Sequence, residues 1–177
     1  MSVMDIIYKN KKSGFTIVEL LIVIVVIGIL AAITIVAFNG IQSRSKNIKS
    51  TNAVKDWVKI IKLHHAEVGS YPTVSSCLGS TTTYPDNQQC WDSTGWRVQS
   101  GFITQISPYT NGTYPEPDTT DIQNGGVGSP KRGGLWIAGS NQVYLMLNNT
   151  TSCPSIGENL TGQNPYGTGV RCAYTLP

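Results

Sequence analysis

The first regular pattern in the chain is a long apolar run. From Phe15 to Phe38 the only ionisable side chain is that of Glu19, and no charged residue occurs between Leu20 and Ser43. As a helix, the stretch from Leu20 to Phe38 would be about 29 Å long, close to the ~30 Å hydrocarbon core of a bilayer. A buried core helix would show a polar stripe, and a secretory signal would have a shorter apolar stretch before a small-residue cleavage site. The run therefore predicts a helix that spans a membrane.

Beyond Phe38 the pattern becomes amphipathic. Apolar residues recur at the i, i+3, i+4, i+7 spacing of one helical face, namely Val54, Trp57, Val58 and Ile61. This face suits packing on a small sheet. Gly69 followed by Pro72 is a typical helix ending. We therefore expect one helix from Phe15 to about Val68, roughly 80 Å long at 1.5 Å per residue, whose apolar half projects from the rest.

The remaining sequence is rich in turns and contains alternating segments. All nine prolines and all four cysteines lie after Gly69. Residues 135–138 and 142–147 predict a hairpin around the turn 139–141, and the alternation over 170–176 predicts a half-buried strand. Residues 101–110 suggest a short helix, while 71–99 and 154–170 are expected to be surface loops. The sum is an α+β fold, in which three or four antiparallel strands pack on the amphipathic half of the helix.

The cysteines indicate a disulfide framework. Their number is even, they lie in one Gly/Pro-rich domain, and no CxxC pair is present, so a metal site is disfavoured and an oxidising compartment is favoured. Four cysteines allow three pairings. We favour the sequential one, Cys77 with Cys90 and Cys153 with Cys172, because each bond closes a loop of about 14 to 20 residues, worth roughly 3 kcal/mol in the chain-entropy model.

Charge and motif content argue against an enzyme or a nucleic-acid clamp. The net charge is +3, and only 13% of residues are charged. Lys55, Lys59 and Lys62 form a cationic stripe on the helix that we interpret as a solvated face or a subunit contact, since it lacks the interleaved aromatics of nucleic-acid sites. His64 and His65 are adjacent and so point in different directions. No nucleophile elbow, P-loop or dinucleotide fingerprint is present, and we expect neither catalysis nor a cofactor.

One loop offers a weak candidate for a metal site. Glu116, Asp118 and Asp121 lie close together in sequence, and their carboxylates could bind Ca²⁺. The spacing is not that of an EF-hand, and a plain turn explains it better. We therefore expect no metal.

Glu19 breaks the rule of the apolar run. An ionisable group at mid-bilayer costs about 2.5 to 3.5 kcal/mol on insertion scales, and less near the interface. Such a residue marks a functional site by default, although a carboxylate this near the end of the run could also extend to the lipid headgroups.

The residues around Glu19 also resemble a known family. Lys11-Lys12-Ser13-Gly14 followed by Phe15-Thr16-Ile17-Val18-Glu19 is similar to the leader junction of type IV prepilins and of the related pseudopilins. The resemblance implies that a membrane-embedded prepilin peptidase cuts between Gly14 and Phe15 and methylates the new amino terminus of Phe15. It divides the chain into a leader (1–14), a transmembrane and filament-core half of the helix (15–40), an amphipathic half (41–69) and an extracytoplasmic globular domain (70–177).

The resemblance further implies a structural role. The precursor would sit in the cytoplasmic membrane with its C-terminus outside, and an assembly platform would extract it into an extracellular or cell-envelope filament of identical or related subunits. Glu19 would pair with the freed amine of a neighbouring subunit. Two alternatives remain at this point: a pseudopilin of a type II secretion or competence DNA-uptake machine, and a single-pass anchored binding domain that does not polymerise.

Overall fold

The computed structural model describes residues 14–84, 90, 96–119 and 133–177 of the 177-residue chain, without the side chains of residues 36, 37 and 39. The described chain divides into two compact units, with the boundary between Gly40 and Ile41. The first unit contains helical residues 17–40 and the second contains the sheet.

The long helix α1 runs over Ile17–Val68. It ends where the sequence indicates, because Gly69 adopts a left-handed φ of +79° and its N–H donates to His65 O at 2.8 Å. A residue with a Cβ is strained in that conformation, so glycine makes a good helix terminator. Pro72, which has no backbone N–H, follows shortly afterwards.

The second unit contains a five-stranded antiparallel sheet. Its strands are β1 (Ser76–Cys77), β2 (Gly133–Ile137), β3 (Gln142–Asn148), β4 (Asn159–Tyr166) and β5 (Gly169–Thr175), in the spatial order β1-β2-β3-β5-β4. A short helix α2 (Ser100–Ile106) continues into a 3₁₀ turn, Ser107–Tyr109. The predicted hairpin is β2–β3, and a 3₁₀ turn over Ala138–Ser140 joins its strands.

The amphipathic half of α1 packs on one face of this sheet. Trp57 and Ile61 are fully buried there, beside Trp136 of β2, Leu145 of β3 and Tyr174 of β5. These side chains form one apolar cluster, so the predicted α+β arrangement of a helix on a small antiparallel sheet is confirmed.

A second, smaller apolar cluster lies on the other face. Leu135 and Met146 neighbour Trp136 and Leu145 in their strands, and successive strand residues point to opposite faces. They pack with Cys77 of β1 and with Tyr84, Cys90 and Val98 from the segment between β1 and α2. The segment expected to be a surface loop therefore contributes buried side chains and the two-residue strand β1.

The strand count corrects the sequence-based expectation of three or four strands. The additional strands are β1, within residues 71–99, and β4, within the expected loop 154–170. β4 has no apolar alternation, includes Gly162 and Pro165, and is mostly exposed. It lies at the sheet edge and has a register irregularity between Leu160 and Gly162, so it depends on pairing with β5 rather than on its own pattern.

Two disulfide bonds join the cysteines that are nearest in sequence. Cys77 bonds to Cys90 and Cys153 bonds to Cys172, with Cα–Cα distances of 5.6 and 5.7 Å. The first bond lies in the second apolar cluster, and the second ties the segment before β4 to the middle of β5.

Within the second unit, polar contacts also attach residues 47–57 of α1 to the sheet and its loops. The Asn47 side chain donates to Asn148 O at 2.7 Å and accepts from Asn148 N at 3.1 Å, as a neighbouring strand would. The Ser50 hydroxyl accepts from Asp118 N at 3.0 Å, and the Trp57 indole donates to Pro115 O at 2.8 Å. The chain from Pro115 to Asp118 is thus held along the helix.

Candidate functional site

The site proposed from sequence lies where α1 begins. Gly14, Phe15 and Thr16 precede the first helical residue, Ile17. The Gly14–Phe15 peptide bond is therefore outside the helix, and both residues are exposed. A peptide bond in this position can become extended without first unwinding hydrogen-bonded turns of the helix.

Thr16 and Glu19 cap this helix reciprocally. A Glu19 carboxylate oxygen accepts from Thr16 N at 2.8 Å and from the Thr16 hydroxyl at 2.9 Å. The Thr16 hydroxyl oxygen in turn accepts from Glu19 N at 3.3 Å. This is a capping box, in which the N-cap and N3 residues satisfy two backbone donors that the helix start leaves unpaired.

This capping role was not predicted from the sequence. The signal was present, because Thr16 stands three residues before Glu19 at the start of an apolar run. The consequence is that the Glu19 carboxylate already has hydrogen-bond partners within its own chain, and any further partner would have to compete with Thr16 for it.

The glycine at position 14 has no explanation within the described chain. A Cβ built on Gly14 meets no atom within 4 Å, and Gly14 has no left-handed φ. Neither packing nor backbone strain in this chain therefore requires glycine there. A requirement for glycine at this position would come from a partner that encloses it.

The apolar half of α1 leaves its side chains uncovered. The large apolar residues from Phe15 to Phe38 whose side chains are described are between 47% and 84% exposed. By length and composition, α1 is also the one helix in the described ranges that could cross a membrane. A continuous apolar surface of this size needs lipid or other protein to cover it.

The cationic stripe is largely neutralised by neighbouring carboxylates. Lys59 lies 2.7 Å from Asp56, and Lys62 lies 2.6 Å from Glu158. Since two of its three lysines have carboxylate partners, the stripe offers little net charge to a polyanion.

The two histidines have separate structural roles. The Nδ1 atom of His64, a buried residue, is 2.9 Å from Ser70 O, and its ring lies edge-on to Tyr109. The His65 ring stacks on Tyr71 at 4.2 Å between centroids. They do not converge on a common site.

The weak calcium candidate is only partly described. Asp121 lies outside the described residues, whereas Glu116 and Asp118 lie in the segment held along α1. Within the described part of the chain, no group of three His, Cys, Asp or Glu side chains is placed to hold a metal ion.

Comparison with known proteins points to the same N-terminal region as the candidate functional site. Residues 9–35 match the family model described as the prokaryotic N-terminal methylation motif. This range contains the Gly14–Phe15 bond, the capping box and most of the apolar run.

The curated relatives are pilins and secretion-system proteins. The chain is 32% identical over 75 residues to the fimbrial protein EcpC of Eikenella corrodens, covering 42% of this chain and 49% of that protein. It is 35% identical over 72 residues to the type IV major pilin protein PilA of Myxococcus xanthus, covering 41% and 33%. With the type II secretion system core protein G of Dickeya chrysanthemi it shares 25% identity over 139 residues, covering 68% and 91%.

The extent of these matches differs. The chain spans about half the length of EcpC and a third of the length of PilA. It spans nearly all of the Dickeya protein. No solved structure matches the chain significantly. The matched methylation motif and these relatives make the chain similar to type IV pilins and to core protein G of type II secretion systems.

Proposed function

We propose that this chain is a structural subunit of a type IV pilus-like filament, cut by a prepilin peptidase between Gly14 and Phe15 and methylated on Phe15. The observation that carries the proposal is the order in which three structural features follow one another within the matched methylation motif. An exposed glycine–phenylalanine bond outside the helix is followed by a capping box and then by an uncovered apolar helix.

The proposed division of the chain follows the motif. Residues 1–14 are the leader, 15–40 the span and later the filament core, 41–69 the amphipathic half, and 70–177 the extracytoplasmic domain. The two disulfides support the outer location of that domain, since such bonds persist in oxidising compartments. The subunit then passes from the membrane, through the assembly platform, into a filament of identical or related subunits.

Glu19 has a proposed part in assembly. Cleavage would create an α-amino cation on Phe15. This amine would lie next to the Thr16 N–H, which donates a hydrogen bond to the Glu19 carboxylate. Opposite charges 4 Å apart attract by about 4 kcal/mol at an effective dielectric of 20, before desolvation is counted. The amine of an incoming subunit therefore offers this carboxylate a stronger partner than the neutral cap, and the pairing would fix the axial register.

A pseudopilin is the second candidate, and one comparison favours it. The match to the secretion-system core protein G covers 91% of that relative, whereas the match to the major pilin covers 33% of its relative. Electron microscopy of the cell surface separates the two candidates: long fibres that contain this chain indicate a pilin, and their absence indicates a pseudopilin.

Mass spectrometry of the native protein tests processing. We expect the chain to begin with N-methyl-Phe15, and the Gly14→Val variant to accumulate as a membrane-bound precursor that retains its leader. Gly28→Val is the matched control, because a Cβ at either glycine has no atom of the described residues within 4 Å. An intact leader on the native protein would instead support the anchored binding domain that does not polymerise.

The role of Glu19 is tested by comparing cleavage with fibre yield. Glu19→Ala is expected to be cleaved but to form few fibres. Glu19→Gln, which keeps a cap acceptor and removes the charge, should fail similarly, and Glu19→Asp should retain part of the yield. Normal polymerisation of cleaved Glu19→Gln would refute charge pairing.

A further inference from the structure

The first turns of α1 within the second unit have two opposite faces. Ser43 and Asn47 bond to Asn148 O, and Ser50 bonds to Asp118, so this side of the helix faces the sheet and its loops. Nine residues, or two and a half turns, separate Ile41 from Ser50, which places them on opposite sides. Ile41 and Ile48, seven residues apart on one face, are 67% and 52% exposed.

Two cations flank these isoleucines. Arg44 lies between them at the i+3 and i−4 positions, and Lys49 follows Ile48; both are exposed. Lys46 differs, because it is half-buried and lies toward the sheet side. We call Ile41, Arg44, Ile48 and Lys49 the collar face.

The sequence around the collar face contains no opposing charge. No Asp or Glu occurs from Leu20 to Lys55, and the collar begins three residues after Phe38, where the candidate span ends. An uncovered apolar stripe bordered by cations beside a membrane span is the arrangement that fits a lipid–water interface. The isoleucines suit the acyl boundary, and the cations suit phosphate groups.

We propose that the collar face docks on the anionic phospholipid headgroups of the membrane that anchors the chain. The proposal deepens the proposed function and rests on its membrane-anchored stage. A second copy of the chain is the rival occupant, but two collar faces in contact would place cations against cations. The lipid phosphate groups supply the missing negative charge. Their contact with the collar face holds the subunit at the membrane surface until it is extracted into the filament.

The magnitude follows from the electrostatics of membrane surfaces. Each basic residue near an anionic surface strengthens the association by about fivefold at low salt, and the effect fades as salt screens the charges. Lys59 provides the comparison, because it is also exposed and on the same helix but forms an ion pair with Asp56.

Native mass spectrometry of the full chain in lipid nanodiscs tests the proposal. The nanodiscs contain phosphatidylcholine and phosphatidylglycerol in equal amounts, and the readout is the ratio of the two lipids that leave with the protein. We expect the wild type to retain phosphatidylglycerol preferentially. Arg44→Gln and Lys49→Gln should each lower the ratio by about fivefold at low salt, whereas Lys59→Gln should not change it. Lysines before the span are present in every variant, so they cancel in the comparison.

Several results would overturn the proposal. An unchanged lipid ratio in the Arg44→Gln, Lys49→Gln double variant would show that the collar does not bind lipid headgroups. An equal loss in Lys59→Gln would show an unspecific charge effect. Unchanged lipid retention with reduced fibre yield would assign the face to a subunit interface. A chain that fails to insert into the nanodisc would refute the membrane anchor itself, and with it the proposed function.

Discussion

At the scale of single residues, contacts within the chain explain two of the residues at the start of α1 but not the third. Thr16 and Glu19 are explained by the reciprocal cap, which pairs backbone donors that an apolar environment would leave without partners. No contact with the described residues explains Gly14, since a Cβ built on it has none of their atoms within 4 Å. The sequence pattern pointed to Gly14 and Glu19, whereas the part of Thr16 is seen only in the contacts of the cap.

Removal of the Thr16 hydroxyl tests the cap. In Thr16→Val, the Glu19 N–H loses its acceptor, and loss of an N-cap typically destabilises a helix end by about 1 kcal/mol. We expect amide hydrogen exchange at Glu19 to become about fivefold faster in micelles. Thr16→Ser, which keeps the hydroxyl, serves as the control. Equal exchange in Thr16→Val and the wild type would mean that the cap does not hold the first turn.

At the scale of elements, strands with an apolar side were predictable and the edge strand was not. β3 and β5 have the same burial pattern, with alternating core residues, and they pair over their full length. β4 offers no such signal, because its residues are mostly exposed and include Gly162 and Pro165. Its place depends on β5 and on the Gln163 side chain, which accepts from Cys153 N and donates to Thr151 O.

We expect Tyr174, a core residue of β5, to make the second unit less stable as the pH becomes alkaline. Burial raises the pKa of Tyr174 to about 12, and its hydroxyl donates to Pro154 O. The unfolded chain releases this proton near pH 10, so the stabilisation is complete below pH 10 and is lost as the pH rises toward 12. Urea unfolding at pH 8 and pH 11 should show this decline, and Tyr174→Phe should show a smaller one. Burial also raises the pKa of Tyr84, so part of the decline in stability should remain in Tyr174→Phe. An equal decline in Tyr174→Phe would contradict the assignment to Tyr174.

At the scale of the whole molecule, the second unit is held by two apolar clusters and two covalent links. Each disulfide attaches a turn-rich segment to the sheet: Cys90 to Cys77 of β1, and Cys153 to Cys172 of β5. Turn-rich segments lose much conformational freedom when they become ordered, so loop closure by a disulfide contributes to keeping them in place.

Replacement of each cysteine pair by serine measures that contribution. We expect Cys153→Ser with Cys172→Ser to lower the free energy of unfolding by about 3 kcal/mol, and the Cys77, Cys90 double replacement to have a similar effect. Urea unfolding of the full chain in micelles is the measurement. Stability equal to that of the wild type in either double variant would show that the apolar clusters alone hold the segment.

Local patterning along the chain was enough to predict several features. These are the apolar run, the end of α1 at Gly69, the helical face around Trp57, the β2–β3 hairpin and the methylation motif, because each depends on residues within a few turns or on one short loop. Long-range contacts set the strand order, the edge position of β4, the second cluster behind the sheet and the attachment of Asn47 to Asn148. Those features form between residues far apart in the chain, and pairing energy between such residues leaves no periodic trace in either partner alone.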